Sequence, residues 1–376
     1  MKIEVISDLP VSPNLAAGNA GLVCAYPLTT VLADGSVAVV YRQGESKHSH
    51  DGIIVMQLSA DGGQTWADPL TVFDGRQAHP MQTAVSAGLC QTADGALLVT
   101  FSTIEGLPSG LYMFSEEGER LPRHLCYSRS DDLGQTWSAP AHMELPGISK
   151  AGITTRPFVL PSGRVCMPIE YKTPLGPNGT AMAFSDDHGC TFGVPIVVAT
   201  DAAGRLNLCD ARFAQLPDGR VLSLLWTFEQ ASEETIEVHR ACSSDQGKTW
   251  SPPEPIGFVG QITAPLALPT GEVIAASNYR HPPEGIRLWY SPDAGASWES
   301  GSAIQMWDLA SGRVLAKPAA GSSERNAGEN VWDALALFSF GTPDLALLED
   351  GSILMTYYST VDGIIHVRAC RFRLQT

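Results

Sequence analysis

Charge is scarce in this chain, and positive charge scarcest of all. Of 376 residues only 17% are Asp, Glu, Lys or Arg, with 24 Lys and Arg against 40 Asp and Glu, for a formal net charge of −16. Charge this sparse argues against a coiled coil or a long-helix protein. The acidic balance argues against nucleic acid or an anionic membrane surface as partner, because like charges repel at long range. No apolar run reaches the length that spans a bilayer. The segment Met1–Pro10 lacks the apolar stretch of a secretory leader, so a cytoplasmic location is expected. The eight cysteines fall singly, with no Cys-x-x-Cys pair, and read as reduced core thiols rather than a disulfide framework or a metal cluster. Also missing are a Gly-rich phosphate loop, a Walker motif, a Gly-x-Ser-x-Gly elbow and a His-Glu-x-x-His pair, which removes the usual nucleotide, serine-hydrolase and zinc-hydrolase readings. No cofactor and no metal is expected.

What is plentiful is turn-forming residues and apolar ones. There are 36 glycines and 26 prolines, and 44% of residues are hydrophobic. Such a chain can bury a large core, and its turn-formers point to many short strands joined by tight turns.

Self-similarity organises those strands. The pattern Ser-x-Asp-x-Gly-x-Thr/Ser-aromatic occurs five times: Ser59–Trp66, Ser130–Trp137, Ser185–Phe192, Ser243–Trp250 and Ser291–Trp298. Asp and Ser side chains bond the backbone of a tight turn, Gly permits positive φ, and the aromatic ring pins the turn to a core. A second pattern runs out of phase with it. Hairpin turns at Asp34-Gly35, Asp94-Gly95, Ser162-Gly163, Asp218-Gly219, Thr270-Gly271 and Asp350-Gly351 each separate two apolar strands. Five units thus read strand, turn, strand, loop, strand, Asp motif, strand, and a sixth lacks the Asp motif. The expected fold is all-β, a single six-bladed β-propeller over residues 1–376, closed by Ile3–Ile6 pairing in the last blade. Two stretches, 105–120 and 299–338, break the rhythm and read as long loops of the kind that often serve as lids.

The five Asp motifs resemble the Asp-boxes, or BNR repeats, of the sialidase superfamily, and the resemblance covers essentially the whole chain. It implies that these turns join third and fourth strands, away from the active site, and that catalytic groups come from the opposite face. In true sialidases an arginine triad clamps the substrate carboxylate, a Tyr paired with a Glu is the nucleophile, and an Asp on the first blade is the acid/base. Set against that pattern, Cys24–Pro27 lacks the first Arg, His48 takes the place of the Asp, Asp210 best matches the Glu, and Phe340–Pro343 holds no Tyr. These departures argue against sialic acid as substrate. The chain is more similar to members whose first blade reads Arg-x-Gly…His…Asp-Gly, here Arg42, Gly44, His48, Asp51 and Gly52.

The residues themselves point the same way. Arg42, Glu45, Lys47, His48, His50 and Asp51 crowd one loop, and a His serves acid/base chemistry near neutral pH without special tuning. The bland alternative is a solvated loop of mixed polarity. His48, His50 and Asp51 could open a metal site, but no third distant ligand is visible. Asp210 and Arg212, two apart, share a strand face, where a charged pair is costly unless matched. Arg156 starts a first strand. Glu170-Tyr171, Arg280 and Tyr357 sit at the ends of second strands. Converging carboxylates, arginines and tyrosines fit a sugar pocket. The expectation is a glycoside hydrolase acting on a small glycoside or oligosaccharide, anionic sugars included. Its acid/base is His48 or Asp51, its second carboxylate Asp210 or Glu170, and its substrate-binding residues Arg42, Arg156, Arg212, Tyr171, Arg280 and Tyr357. Two alternatives stand beside it, a non-catalytic glycan-binding propeller and a lyase that uses His and Tyr on a uronate.

Overall fold

Six hairpin turns close as their sequences demand. At the first, Gly35 takes φ 81° and its N–H bonds the carbonyl of Leu32 at 2.9 Å, while Leu32 N–H bonds Ser36 O at 2.8 Å. Only glycine adopts such a backbone without strain. The computed structural model describes residues 1–15, 19, 21–106, 121, 123–319 and 339–375.

Around these turns the described chain forms six small antiparallel sheets arranged as a six-bladed β-propeller. Blade 1 comprises Val23–Val31, Val37–Gly44, Ile53–Ser59 and Leu70–Phe73. Blade 2 comprises Gln82–Gln91, Leu97–Glu105, His124–Ser130 and Ala141–His142. In blade 3 the first strand is split into Ser149–Gly152 and Phe158–Val159, followed by Val165–Lys172, Asn178–Ser185 and Ile196–Ala199. Blade 4 runs through Leu206–Gln215, Val221–Glu229, Glu237–Ser243 and Glu254–Val259. Blade 5 has five strands: Thr263–Ala267, Val273–Tyr279, Gly285–Ser291, Ile304–Asp308 and Arg313–Pro318. Blade 6 consists of Phe340–Leu347, Ile353–Val361 and Ile364–Gln375, with Lys2–Pro10 antiparallel to the last of these from Lys2↔Gln375 to Pro10↔Arg368.

The second of the expected loops is therefore partly strand. Residues 304–308 and 313–318 extend blade 5 outward, because Ile304, Met306 and Trp307 bury against blade 6. Residues 107–120 and 320–338, which make up most of the first expected loop and the rest of the second, lie outside the described residues.

The core lies between blades rather than within any one. Val40, Met56, Leu89 and Val99 meet between blades 1 and 2, and Leu222, Val273 and Trp289 between blades 4 and 5. The Asp-box turns staple these seams. In the second box Ser130 Oγ accepts from Gly134 N at 2.7 Å and donates to Asp132 Oδ1 at 2.8 Å, and Thr136 Oγ1 donates to Asp132 Oδ2 at 2.6 Å. Gly134, at φ 85°, sits against Met56 of the preceding blade, where a Cβ would collide. The same contact recurs from Gly63 to Leu354, Gly189 to Leu98 and Gly295 to Leu222.

The first strands, which line the centre of the ring, are irregular at one common level. Pairing slips between Ala25 and Leu28, Ala84 and Ser86, Cys209 and Arg212, and Gly341 and Asp344. Three of these bulges place a non-glycine residue at positive φ: Tyr26 at 62°, Asp210 at 46° and Thr342 at 44°. A bulge re-aims side chains, and left-handed backbone at such residues costs of order 1 kcal/mol or more, so it persists where the surroundings enforce it.

Candidate active site

The three strained residues face one cavity. It opens at the centre of the ring, encloses about 130 Å³, and draws wall residues from all six blades. That volume is close to the apolar cavity of about 150 Å³ that takes up benzene, so it is of the size of one small ring and, being open at its mouth, suits a single unit rather than an enclosed chain.

Two carboxylates stand on its wall. Glu170 is buried on the second strand of blade 3. Its Oε1 accepts from Asn178 Nδ2 at 3.2 Å and its Oε2 from the backbone N–H of Asp210 at 2.9 Å. Asp210 and Arg212 both reach the cavity, but not by simple strand alternation. The bulge sets Asp210 and Ala211 together opposite Leu225, and Asp210 reaches the cavity from it. Arg212 is 3% exposed. One of its Nη atoms bonds Thr154 O, and its Nε has no partner among the described residues. Burial lowers its pKa, opposed by the nearby charges of Asp210 and Asp344. Arg280 spans blades 5 and 6: Nε donates to Gln261 Oε1 at 2.7 Å, Nη2 to Phe340 O at 2.7 Å, and the guanidinium lies 4.5 Å from the Phe340 ring. It is also hydrogen-bonded to Tyr358. Arg123 adds a third guanidinium to the wall.

Opposite these stands a phenol–imidazole pair. Tyr26 Oη lies 2.6 Å from His48 Nε2, with the two rings stacked at 5.9 Å. Burial first, then the charges of Lys47 and Arg42, pushes the His48 pKa down to about 3. The imidazole is therefore neutral throughout the physiological range, which corrects the expectation of a freely titrating acid/base. Burial likewise raises the Tyr26 phenol well above its ordinary value, as does the neighbouring Tyr358. Tyr358 meets Tyr26 edge-on at 5.7 Å.

Five of the expected site residues line this cavity: His48, Glu170, Asp210, Arg212 and Arg280. Five do not. Arg42 is buried beneath the loop, donating to Ala84 O at 2.9 Å, Ser46 O at 2.5 Å and Ser49 O at 2.6 Å. Asp51 closes the same loop by accepting Glu45 N–H at 3.1 Å. Gly44 and Gly52 leave space that a Cβ would take from the Arg42 guanidinium. The Arg-x-Gly…His…Asp-Gly pattern is thus a scaffold that presents His48, not a set of substrate contacts. Arg156 reaches across the ring centre to Asp344 Oδ2 at 2.5 Å and Thr29 O at 2.8 Å, because the first strand of blade 3 is interrupted where it sits. Tyr171 follows Glu170 on a regular strand and points to the other face. Tyr357 is fully buried and donates to Asp8 Oδ1 at 2.9 Å, leaving its neighbour Tyr358 to face the cavity.

Tyr26, Tyr358, Arg123, Asn278 and Thr342 also line the wall. Asn278 and Tyr358 belong to the second-strand ends that fit a sugar pocket, beside Arg280 and Tyr357, whereas Tyr26, Arg123 and Thr342 are not expected there from the sequence, although Tyr26 stands in the segment compared with the missing arginine. All eight cysteines are free, six of them buried.

The pattern of the family described as a BNR repeat-like domain matches residues 110–355. None of the curated proteins matches the chain. Among solved structures it is similar to a protein of unknown function from Dyadobacter fermentans (20% identity, all of both chains covered, TM-score 0.76). The intramolecular trans-sialidase of Ruminococcus gnavus, solved with oseltamivir carboxylate, is similar at 13% identity over 93% of this chain and 94% of that one, TM-score 0.65. The α-L-arabinanase of Penicillium chrysogenum, solved with arabinobiose, is similar at 14% identity over 99% and 97%, TM-score 0.64. At these identities the likeness is one of fold.

Proposed function

The chain belongs to the BNR repeat-like domain family, and on that premise we propose that it is a glycoside hydrolase that removes one small, anionic sugar unit from a glycoside or oligosaccharide. The observation that carries this reading is the coupled pair Glu170 and Asp210 facing Arg123, Arg212 and Arg280 in a cavity of about 130 Å³. Guanidinium groups bind a carboxylate bidentately, and converging carboxylates manage the proton and the developing positive charge of glycosidic bond cleavage. That similar propellers hold oseltamivir carboxylate and arabinobiose supports a sugar at the ring centre. The reading includes a cytoplasmic location, supported by eight free thiols.

The test is release of 4-nitrophenol from a panel of 4-nitrophenyl glycosides that includes uronides. Turnover of an anionic member, lost in Glu170→Gln, supports the reading. Binding of sugar without turnover would favour an inert glycan-binding propeller instead. A second reading has one specific observation in its favour. A phenol hydrogen-bonded to a neutral imidazole beside three guanidiniums also suits β-elimination from a uronate. That product absorbs in the ultraviolet as an unsaturated uronate, whereas hydrolysis releases reducing sugar only.

A further inference from the structure

Hydrolysis needs a group that gives a proton to the departing oxygen, and the cavity narrows the choice. Asp51 is turned away from it, closing its own loop. Both oxygens of Glu170 are engaged as acceptors. A guanidinium does not give up a proton. Two phenols face the cavity, Tyr26 and Tyr358. They differ in their partners. Tyr358 stands on a regular strand with its hydroxyl tied to the Arg280 guanidinium. Tyr26 is carried into the cavity by a bulge and bonds an imidazole nitrogen at 2.6 Å, a neutral partner that can donate to its oxygen.

We propose that Tyr26 is the proton donor to the leaving group, with His48 as its hydrogen-bonded partner and Asp210 as the base that activates water; this rests on the hydrolase reading above. The geometry is built for it. A bulge carries Tyr26 into the cavity at φ 62°, and the bulge of blade 4 brings Asp210 to the same cavity at φ 46°. Arg42, fixed by three carbonyl oxygens, holds the loop that presents His48. The assignment requires the neutral imidazole to carry its proton on Nε2, so that across the 2.6 Å contact it donates to Tyr26 Oη and leaves the phenolic proton for the leaving oxygen.

The step balances. Water bonds to the anomeric carbon as its proton passes to the Asp210 carboxylate. The bond from that carbon to the leaving oxygen breaks with its electron pair, and that oxygen takes the phenolic proton of Tyr26. Burial disfavours the phenolate, and the His48 N–H together with the nearby positive charges of Arg42 and Arg280 oppose that cost while it forms. The proton on Asp210 then returns to it, restoring both groups. The sum is glycoside plus water giving a reducing sugar and the free alcohol of the leaving group.

The experiment compares 4-nitrophenyl and 2,4-dinitrophenyl glycosides of the sugar that the wild-type protein turns over. The dinitrophenolate leaves without a proton and the mononitrophenolate benefits from one. Removing a general acid costs about 10²–10⁴-fold where the proton is needed. Tyr26→Phe is expected to lose about 100-fold or more in kcat on the first substrate and less than about 5-fold on the second, with KM little changed. His48→Gln, which keeps an N–H donor, is expected to retain more activity than His48→Ala and to show the same leaving-group dependence. Equal losses of Tyr26→Phe on both substrates, or no loss on either, would overturn the assignment while leaving the hydrolase reading intact. Should Tyr26→Phe fail to fold, the His48→Gln and His48→Ala pair decides by the same ratio. Failure of the wild-type protein to turn over any glycoside would overturn the hydrolase reading and this assignment with it.

Discussion

The backbone N–H of Asp210 donates to Glu170 Oε2 at 2.9 Å. One carboxylate therefore holds the piece of backbone that carries the other, and the bond crosses from blade 3 to blade 4. The position of Asp210 is thereby set by Glu170.

Glu170→Gln replaces a charged acceptor by a neutral one. The protein should lose about 1 kcal/mol of stability, the difference between charged and neutral hydrogen bonds. Turnover should fall by about 100-fold or more. Thermal unfolding and the glycoside assay read the two effects separately. Activity within a few-fold of wild type would remove Glu170 from the chemistry.

Asp210→Gly should separate stability from function. Left-handed backbone costs a non-glycine residue about 1–2 kcal/mol, and glycine gives part of that back as chain entropy. Stability should stay level or rise by about 1 kcal/mol while turnover is lost. Clear destabilisation in urea would show that the Asp210 side chain itself holds the bulge.

Arg42→Lys keeps the charge and loses the fork that reaches three carbonyl oxygens. We expect a loss of about 2–4 kcal/mol. Hydrogen exchange should accelerate at residues 46–51, and turnover should fall because His48 is no longer held. A variant as stable as wild type with altered KM alone would restore Arg42 to the role of substrate clamp.

Tyr357→Phe and Tyr358→Phe should have opposite effects. The first removes a buried bond to Asp8 and should cost about 1–2 kcal/mol with turnover unchanged. The second should leave the melting temperature nearly unchanged and alter kinetics on the sugar. Loss of turnover in Tyr357→Phe at unchanged stability would reverse the assignment.

The Asp-boxes make the fold acid-sensitive in a defined window. Hydrogen bonds hold Asp187 at about 2, the Thr191 hydroxyl first, then Ser185 and the Thr191 N–H. The Thr136 and Thr249 hydroxyls lead in doing the same for Asp132 and Asp245. An unfolded Asp titrates near 3.9. A depressed carboxylate contributes stability that is complete above that value and is lost as pH falls toward 2. Urea midpoints should therefore drop between about pH 4 and pH 2, by less in Asp132→Asn, which has already lost its share. A flat profile across that window would show that the boxes do not contribute through ionisation.

The ring was legible because its signals are local and repeated. An X-Gly turn or an Asp-box says the same thing each time it occurs, and six and five copies leave little freedom of count. The cavity was legible only in part. Glu170 and Arg280 were found at strand ends, where chain position alone suggests a mouth. Tyr357 was chosen over Tyr358 because a strand end gives no register, and a shift of one residue reverses every side chain. Arg42 and Asp51 were misread because nothing in composition tells a guanidinium spent on carbonyls from one facing a ligand. Tyr26 and Thr342 were missed because a bulge is a departure from the alternation on which strand reading depends.

Closure of blade 6 has a consequence for how the chain is made. Asp8 and Arg368, 360 positions apart, meet across the pairing of Lys2–Pro10 with Ile364–Gln375. A ribosome that has released five blades has released an open crescent whose two ends expose unpaired, partly apolar surfaces. The seam that completes the circle cannot form during translation of blades 1 to 5, whatever local order they gain. Nascent-chain protection and the final gain of function should therefore be separate events, with the interval between them the time in which this protein is open to aggregation or to chaperones.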